Sequence, residues 1–305
     1  MSPHKTLPAH ERKLDQRGMA VIGALIVVAL VALAGSAIIE RQALLAQTLE
    51  TDKHRTQARW ALRGGLDWAR LVLYNDGQRN PITRDDAMWA QPVVGMQLSV
   101  PSSPLHALFT GRIEDEQSKL NLALLLQNGA ARTRQLAALQ RLALALGLPG
   151  NTAERIEKFM RDRQAMSPAG TGTAGLRGID ELRGTVLNER EWQVLAPFVT
   201  LLPATTSINV NTAEAEVLSA ALPALDLVQA RELVEQRTRG QWFNDTADFL
   251  NRSGLRTTET SLPLGVNSDW FKVTGTVTLE YARLGMQALL HRAGTQLPAL
   301  RWIKE

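Results

Sequence analysis

Residues 19–39 read MAVIGALIVVALVALAGSAII, an apolar run without a single charge, and its reading decides the fold. A helix rising about 1.5 Å per residue over that run is about 30 Å long, the thickness of a bilayer's hydrocarbon core. In front of it, Met1–Gly18 carries Lys5, Arg12, Lys13 and Arg17 against Glu11 and Asp15. Basic residues on that side predict a leader held in the cytoplasm and a chain that lies outside after Glu40. Three readings are open. One is a plain single-span anchor. The second is a secretory signal cut after the A-x-A-like Ala32–Ala34, although the apolar run continues past that point to Ile39. The third rests on Gln16-Arg17-Gly18-Met19-Ala20, where a basic leader ends in glycine immediately before the apolar run.

The helical pattern does not stop at the membrane. Leu45, Leu49, Leu62, Leu66, Ala69 and Leu73 continue at helical spacing, with Arg41, Glu50, Asp52, Lys53, Arg55 and Arg63 between them. Gly64-Gly65 weakens the pattern and Tyr74–Gly77 is expected to end it, which makes a helix of about 55 residues. An ordinary anchor has no need of such a length.

The rest of the 305 residues suffices for two modest domains. The apolar share of 45% and charged share of 21% fit a globular protein, neither disordered nor polytopic. Lys+Arg 34 against Asp+Glu 30 leaves a formal charge of +4, too little for an evident nucleic-acid stripe. With no cysteine, disulfides, thiolate zinc sites and Cys nucleophiles are excluded.

Residues 75–104 read as a loop with a short strand at 93–100, and 108–115 as a second strand. From Asn121 to about Leu250 the pattern is helical, with a flexible loop at 167–178 (SPAGTGTAGLRG). Residues 270–279 alternate Phe271, Val273, Val277 and Leu279 with polar residues, a half-buried strand, and 286–292 is expected to be one more. Strands on both sides of a helical block predict an α+β fold with an inserted all-α domain.

Within that block, 207–250 resembles a helix-hairpin-helix unit. Asn211 or Thr212 is expected to cap its first helix, with Glu214 and Glu216 suiting the positive end. DNA-binding hairpins of this kind are glycine-rich, so that backbone N–H groups can approach a phosphate. This hairpin reads Pro223-Ala-Leu-Asp226, without glycine and with an added negative charge. It is therefore read as a packing module, and no nucleic acid is expected.

The Gly18–Met19 junction resembles the class III signal of type IV pilins and type II secretion pseudopilins. The resemblance implies that prepilin peptidase cuts between Gly18 and Met19 and N-methylates Met19. The chain as a whole resembles the minor pseudopilin K family of the type II (general) secretion pathway. Besides the junction, the matching stretches are 87–92 (AMWAQP), 111–122 (GRIEDEQSKLNL), 179–183 (IDELR), 195–203 (LAPFVTLLP), 208–213 (INVNTA) and 266–271 (VNSDWF), in family order over nearly the whole chain. This implies a pilin-like fold, a long N-terminal helix packed on a small antiparallel sheet, with a large inserted α-helical domain. The implied layout is a leader over 1–18, a spine helix over 19–74, an α/β domain from 75–119 and 262–305, and the helical domain over 120–261. It also implies a place at the tip of the periplasmic pseudopilus, in contact with minor pseudopilins I and J, with an anchor in the inner membrane beside the secretion platform.

Gly23 fits a tip position. Counted from Met19 it is the fifth residue, where most pilins and pseudopilins carry a Glu whose carboxylate is thought to pair with a neighbour's N-terminal ammonium. A subunit with nothing above it has no ammonium to pair, and an unpaired carboxylate in a membrane is costly. The chain departs from the family at 159–165 (FMRDRQA), where members often carry a calcium-binding acidic run. Asp162 alone, between two arginines, supplies too few hard oxygens, and no metal is expected there. Glu114-Asp115-Glu116 reads as a solvated acidic turn.

No catalytic constellation is legible. His4, His10, His54, His106 and His291 lie far apart, and Ser102-Ser103 lacks a G-x-S-x-G context. A structural role in a secretion filament, without cofactor, is expected. The alternative is a membrane-anchored periplasmic protein whose helix-hairpin-helix unit holds DNA.

Overall fold

The computed structural model describes residues 13–99, 106–166, 178–256, 262–280 and 282–304. The chain divides into two units, residues 1–57 and 58–305. Helix α1 (Lys13–Arg79) is continuous and begins before the apolar run. In the first unit its side chains from Met19 to Ile39 are uncovered all round, with Val21, Leu25, Val28 and Leu33 each at least 60% exposed. A helix this apolar and this long, with no protein over it, fits a single-pass membrane anchor. Leu45 and Leu49 also stay exposed, so their helical spacing marks no intramolecular core.

After α1 come β1 (Val93–Ser99), β2 (His106–Asp115) and the two-residue β3 (Leu120–Asn121). Helices α2 (Ala130–Ala145), α3 (Thr152–Met166) and α4 (Glu189–Leu195) follow, then β4 (Val199–Thr200) and β5 (Ile208–Asn209). Helices α5 (Ala215–Ala221), α6 (Leu227–Thr238) and α7 (Thr246–Ser253) precede β6 (Leu264–Gly265), β7 (Trp270–Leu279), β8 (Ala282–His291) and β9 (Ala299–Lys304).

In the second unit the sheet order is β1-β2-β7-β8-β9, antiparallel throughout. The alternation in β7 turns Phe271, Val273, Val277 and Leu279 to one face. There they meet Ala58, Ala61, Leu62, Leu66, Ala69 and Leu73 of α1 in one core. Trp89, on a 3₁₀ turn within 87–92, closes this core by meeting Phe271 edge-on with ring centroids 5.2 Å apart.

The sequence places the end of α1 too early, at Tyr74–Gly77. The last turn is held from outside: the Arg292 guanidinium donates to Leu73 O at 3.3 Å and to the Asp76 carboxylate at 3.0 Å. Pro81 then disfavours helix in the residue before it. β2 starts two residues earlier than expected and β8 four; position 100 of the first expected strand lies outside the described residues.

The segment between β2 and β7 has its own core, built from Leu139 and Leu142 of α2, Ile156 and Met160 of α3, Val217 and Leu218 of α5 and Phe249 of α7. The expectation that it is wholly helical is corrected. β3 pairs with β4 and β5 with β6, both in parallel. Two-residue strands joined across tens of residues leave no alternation long enough to read in a sequence. Residues 167–177 of the expected flexible loop lie outside the described residues.

Candidate functional site

The expected processing residues are a linear feature of α1. Gly18, Met19 and Gly23 all lie in the helix, Met19 is exposed, and a side chain at Gly23 would meet nothing within 4 Å. Among the described residues nothing requires glycine at position 23.

The stretches quoted from 111–122, 208–213 and 266–271 converge on one buried polar junction. Asp115, the last residue of β2, is 5% exposed. Its Oδ2 accepts from Thr212 Oγ1 at 2.6 Å, Ser268 Oγ at 2.6 Å and Asn209 Nδ2 at 3.2 Å, while Oδ1 accepts from the Gln117 amide at 2.8 Å. Burial raises this carboxyl above its ordinary 3.8 even against those donors. Asn209 Nδ2 also reaches Thr83 O and Ser268 Oγ, and its Oδ1 accepts the Asn211 amide. Arg292 extends the junction to α1, donating to Thr83 Oγ1 and Ser268 O, each at 2.8 Å, as well as to Asp76. Gln117 spans the same seam, from Ser207 O to the Asp269 amide. Charge-assisted and fully paired, the cluster holds the helical segment at a fixed register on the sheet.

The reading of Glu114-Asp115-Glu116 as a solvated turn is corrected. Asp115 and Glu116 are buried, and Glu116 is bonded by Lys119 at 2.6 Å and by the Thr200 hydroxyl. Glu114 points to the other sheet face, where Lys272 at 3.0 Å, Lys119 at 3.3 Å and Arg112 at 2.7 Å surround it. Burial opposes its ionisation, but Lys119, Lys272 and Arg112 win and hold it at about 2. Lys272 is raised in turn: burial opposes its charge, and Glu116 and Glu114 overcome it. Glu114, Lys119, Lys272 and Arg112 line a cleft of about 570 Å³ with Phe198, Glu214 and Glu216. Arg112 and Lys119 lie close to Glu114 in the chain, and the sequence hides the site because Lys272 comes from β7 and Glu216 from α5. Among the described residues no three His, Asp or Glu side chains gather as metal ligands. Asp162 sits on α3, outside the junction.

The helix-hairpin-helix reading needs one correction. Asn211 and Thr212 do not cap α5. Glu214 is the cap residue and makes no capping bond. Asn211 instead pairs with both backbone groups of Phe243, at 2.8 and 2.9 Å, and Thr212 serves Asp115. Both are buried, so neither hydroxyl nor amide is free to turn toward α5. The hairpin's Asp226 has a local role, accepting from the Gln229 amide as the cap of α6. Arg237 is spent on Val210 O and Ala213 O, and the exposed Arg231 pairs with Glu216. The signal for the junction was present in Ile208-Asn-Val-Asn, polar residues alternating with apolar ones inside a helical block.

A family model described as type II secretion system protein K matches residues 208–274, the stretch that carries Asn209, Thr212 and Ser268. The chain is 31% identical over 311 residues to type II secretion system protein K of Klebsiella pneumoniae, covering 92% of this chain and 93% of that protein. To the protein of that name from Pseudomonas aeruginosa it is 30% identical over 305 residues, covering 91% and 89%. A chain in the crystal structure of the GspK–GspI–GspJ complex from the enterotoxigenic Escherichia coli type 2 secretion system superposes with TM-score 0.63 at 20% identity, over 84% of this chain and 98% of that one. That likeness speaks for the fold, and the identity over most of both chains speaks for descent: the chain belongs to the type II secretion system protein K family.

Proposed function

We propose that this chain is a minor pseudopilin that caps the tip of the periplasmic pseudopilus and helps to start its assembly for protein export across the outer membrane. The observation that carries the reading is the continuity of α1, which exposes membrane-length apolar surface near its start and buries its last turns on a sheet. A filament subunit drawn from a membrane needs both an apolar anchor and a helix packed on its folded domain. In this reading residues 1–18 are a cytoplasmic leader, prepilin peptidase cuts between Gly18 and Met19, and Met19 is N-methylated. The anchor lies in the inner membrane with the C-terminal part in the periplasm. Residues 75–119 and 262–305 make a pilin-like domain into which the helical domain, 120–261, is inserted. Gly23 in place of glutamate suits a subunit with no neighbour above it. Minor pseudopilins I and J are the proposed partners, supported by the solved complex of GspK with GspI and GspJ. The secretion platform would be met during assembly. The role is structural, and no reaction is assigned to the chain.

The DNA-holding alternative has against it a hairpin without glycine and an Arg237 already committed to backbone carbonyls. Extraction of the tagged full-length chain from membranes that also contain subunits I and J tests the reading. Co-purification of both is the expected result. Their absence, with salt-dependent retention of duplex DNA, would favour the alternative.

A further inference from the structure

Strand β9 is held to the sheet on one side only, by β8. Trp302 pairs with Leu289 and Leu300 with Leu290, so Arg301 is an extra residue between them, a β-bulge. A bulge re-aims the side chain it carries. Arg301 Nη2 lies 2.8 Å from His291 Nδ1, and its guanidinium carbon 5.7 Å from the centre of the Trp270 ring. The His291 ring stacks on the same indole, centroids 4.3 Å apart and planes at 27°. Trp270 is itself buried, in a small apolar cluster with Leu202, Leu289 and Trp302.

A guanidinium has donors only, so at 2.8 Å the imidazole must present a lone pair on Nδ1 and be neutral. A proton on Nδ1 turns that contact into donor against donor and cation against cation. The charged groups facing His291 are Arg301 from β9 and Asp269 from the turn before β7. Arg292, next in the chain, is turned away toward Asp76 and Thr83. Burial and Arg301 both favour the neutral ring, and Asp269 opposes them.

We propose that His291 and Arg301 form a proton-operated latch on strand β9. With His291 neutral, Arg301 is held over Trp270 and the bulge is fixed. On protonation the imidazolium keeps its stacking on the indole and Arg301 is expelled. That frees a guanidinium and loosens the β9 edge of the sheet, which carries Leu300 and Ile303, both already half-exposed. This goes beyond the proposed filament role and does not depend on it.

The test is amide hydrogen exchange of the full-length chain in detergent micelles across the histidine range, about pH 8 to 5, corrected for intrinsic exchange. Exchange in residues 299–304 is expected to rise about tenfold as the pH falls, with 270–279 unchanged. His291→Gln and Arg301→Gln should each give a flat profile, the first because nothing protonates and the second because nothing repels. Native near-ultraviolet circular dichroism in both variants shows that a flat profile is not unfolding. A flat profile in the wild type, or a step that persists in either variant, would overturn the latch.

Discussion

The Phe109 ring fills the space that a side chain at Gly65 would need: a Cβ there would lie 2.4 Å from Phe109 Cε2. A Cβ at Gly111 or Gly275 would likewise lie 2.7 or 2.9 Å from that ring, so three glycines from α1, β2 and β7 make room for one phenylalanine. Helix and sheet approach closely because of it. A Cβ at Gly64, one residue away, would meet nothing within 4 Å.

The two adjacent glycines should therefore respond oppositely to alanine. Gly65→Ala overpacks a closed core and is expected to cost about 1–3 kcal/mol or more. Gly64→Ala should stabilise by about 0.5–1 kcal/mol through helix propensity alone. Urea unfolding of a fragment starting at Arg41 checks the pair, and equal effects would refute the packing account.

At the polar junction, Asn209→Ala strips Thr83 O, Asp115, Ser268 and the Asn211 amide of a buried partner. A loss of about 2–4 kcal/mol is expected. Asp115→Asn should cost less, about 1–2 kcal/mol: it sets one new donor against Asn209 Nδ2, but the Thr212 and Ser268 hydroxyls can turn to accept and Oδ1 still serves the Gln117 amide. The order of the two midpoints is the result to read.

Glu114 sets an acid limit. Its folded value of about 2 lies below the 4.5 of an ordinary Glu, so above pH 4.5 the folded state gains from its charge. That gain is lost as the pH falls from 4.5 toward 2, when the unfolded chain takes up the proton first. With part of the side chain in water the contribution is on the order of 2 kcal/mol. Glu114→Gln should flatten that limb of the stability–pH curve and lower the plateau above it. A curve with an unchanged acid limb would contradict this.

How far the sequence could be read follows from the range of each interaction. The anchor, the last turns of α1 and strands β2 and β7 were legible, because local periodicity encodes them: Leu62, Leu66, Ala69 and Leu73 on the helix, Phe271 to Leu279 on the strand. β9 was missed, since an edge strand with exposed Leu300 and Ile303 shows no buried alternation. The junction was missed for a different reason. Asp115 finds Thr212 and Ser268 only across the fold, 97 and 153 residues away, and a carboxylate between two glutamates looks solvated until those partners are known. Gly64-Gly65 looked like a flaw in a helix, and only Phe109 explains the second of the two.

Gly23→Glu should impair secretion without blocking processing or membrane insertion. A charge at a helix centre costs about 2.5–3.5 kcal/mol on translocon scales, and near the end about half of that. Protonation, or pairing with the chain's own Met19 ammonium, would soften the effect. Wild-type secretion by the variant would mean that a donor lies nearby and that the subunit sits within the filament.

The most direct measurement is the mass of the N-terminal peptide of the protein purified from membranes. Cleavage after Gly18 leaves residues 19–305, beginning with N-methyl-Met19, and that mass is the expected one. A chain starting at Gly35, as ordinary signal peptidase would leave it, or one that retains its leader, would contradict the pseudopilin account.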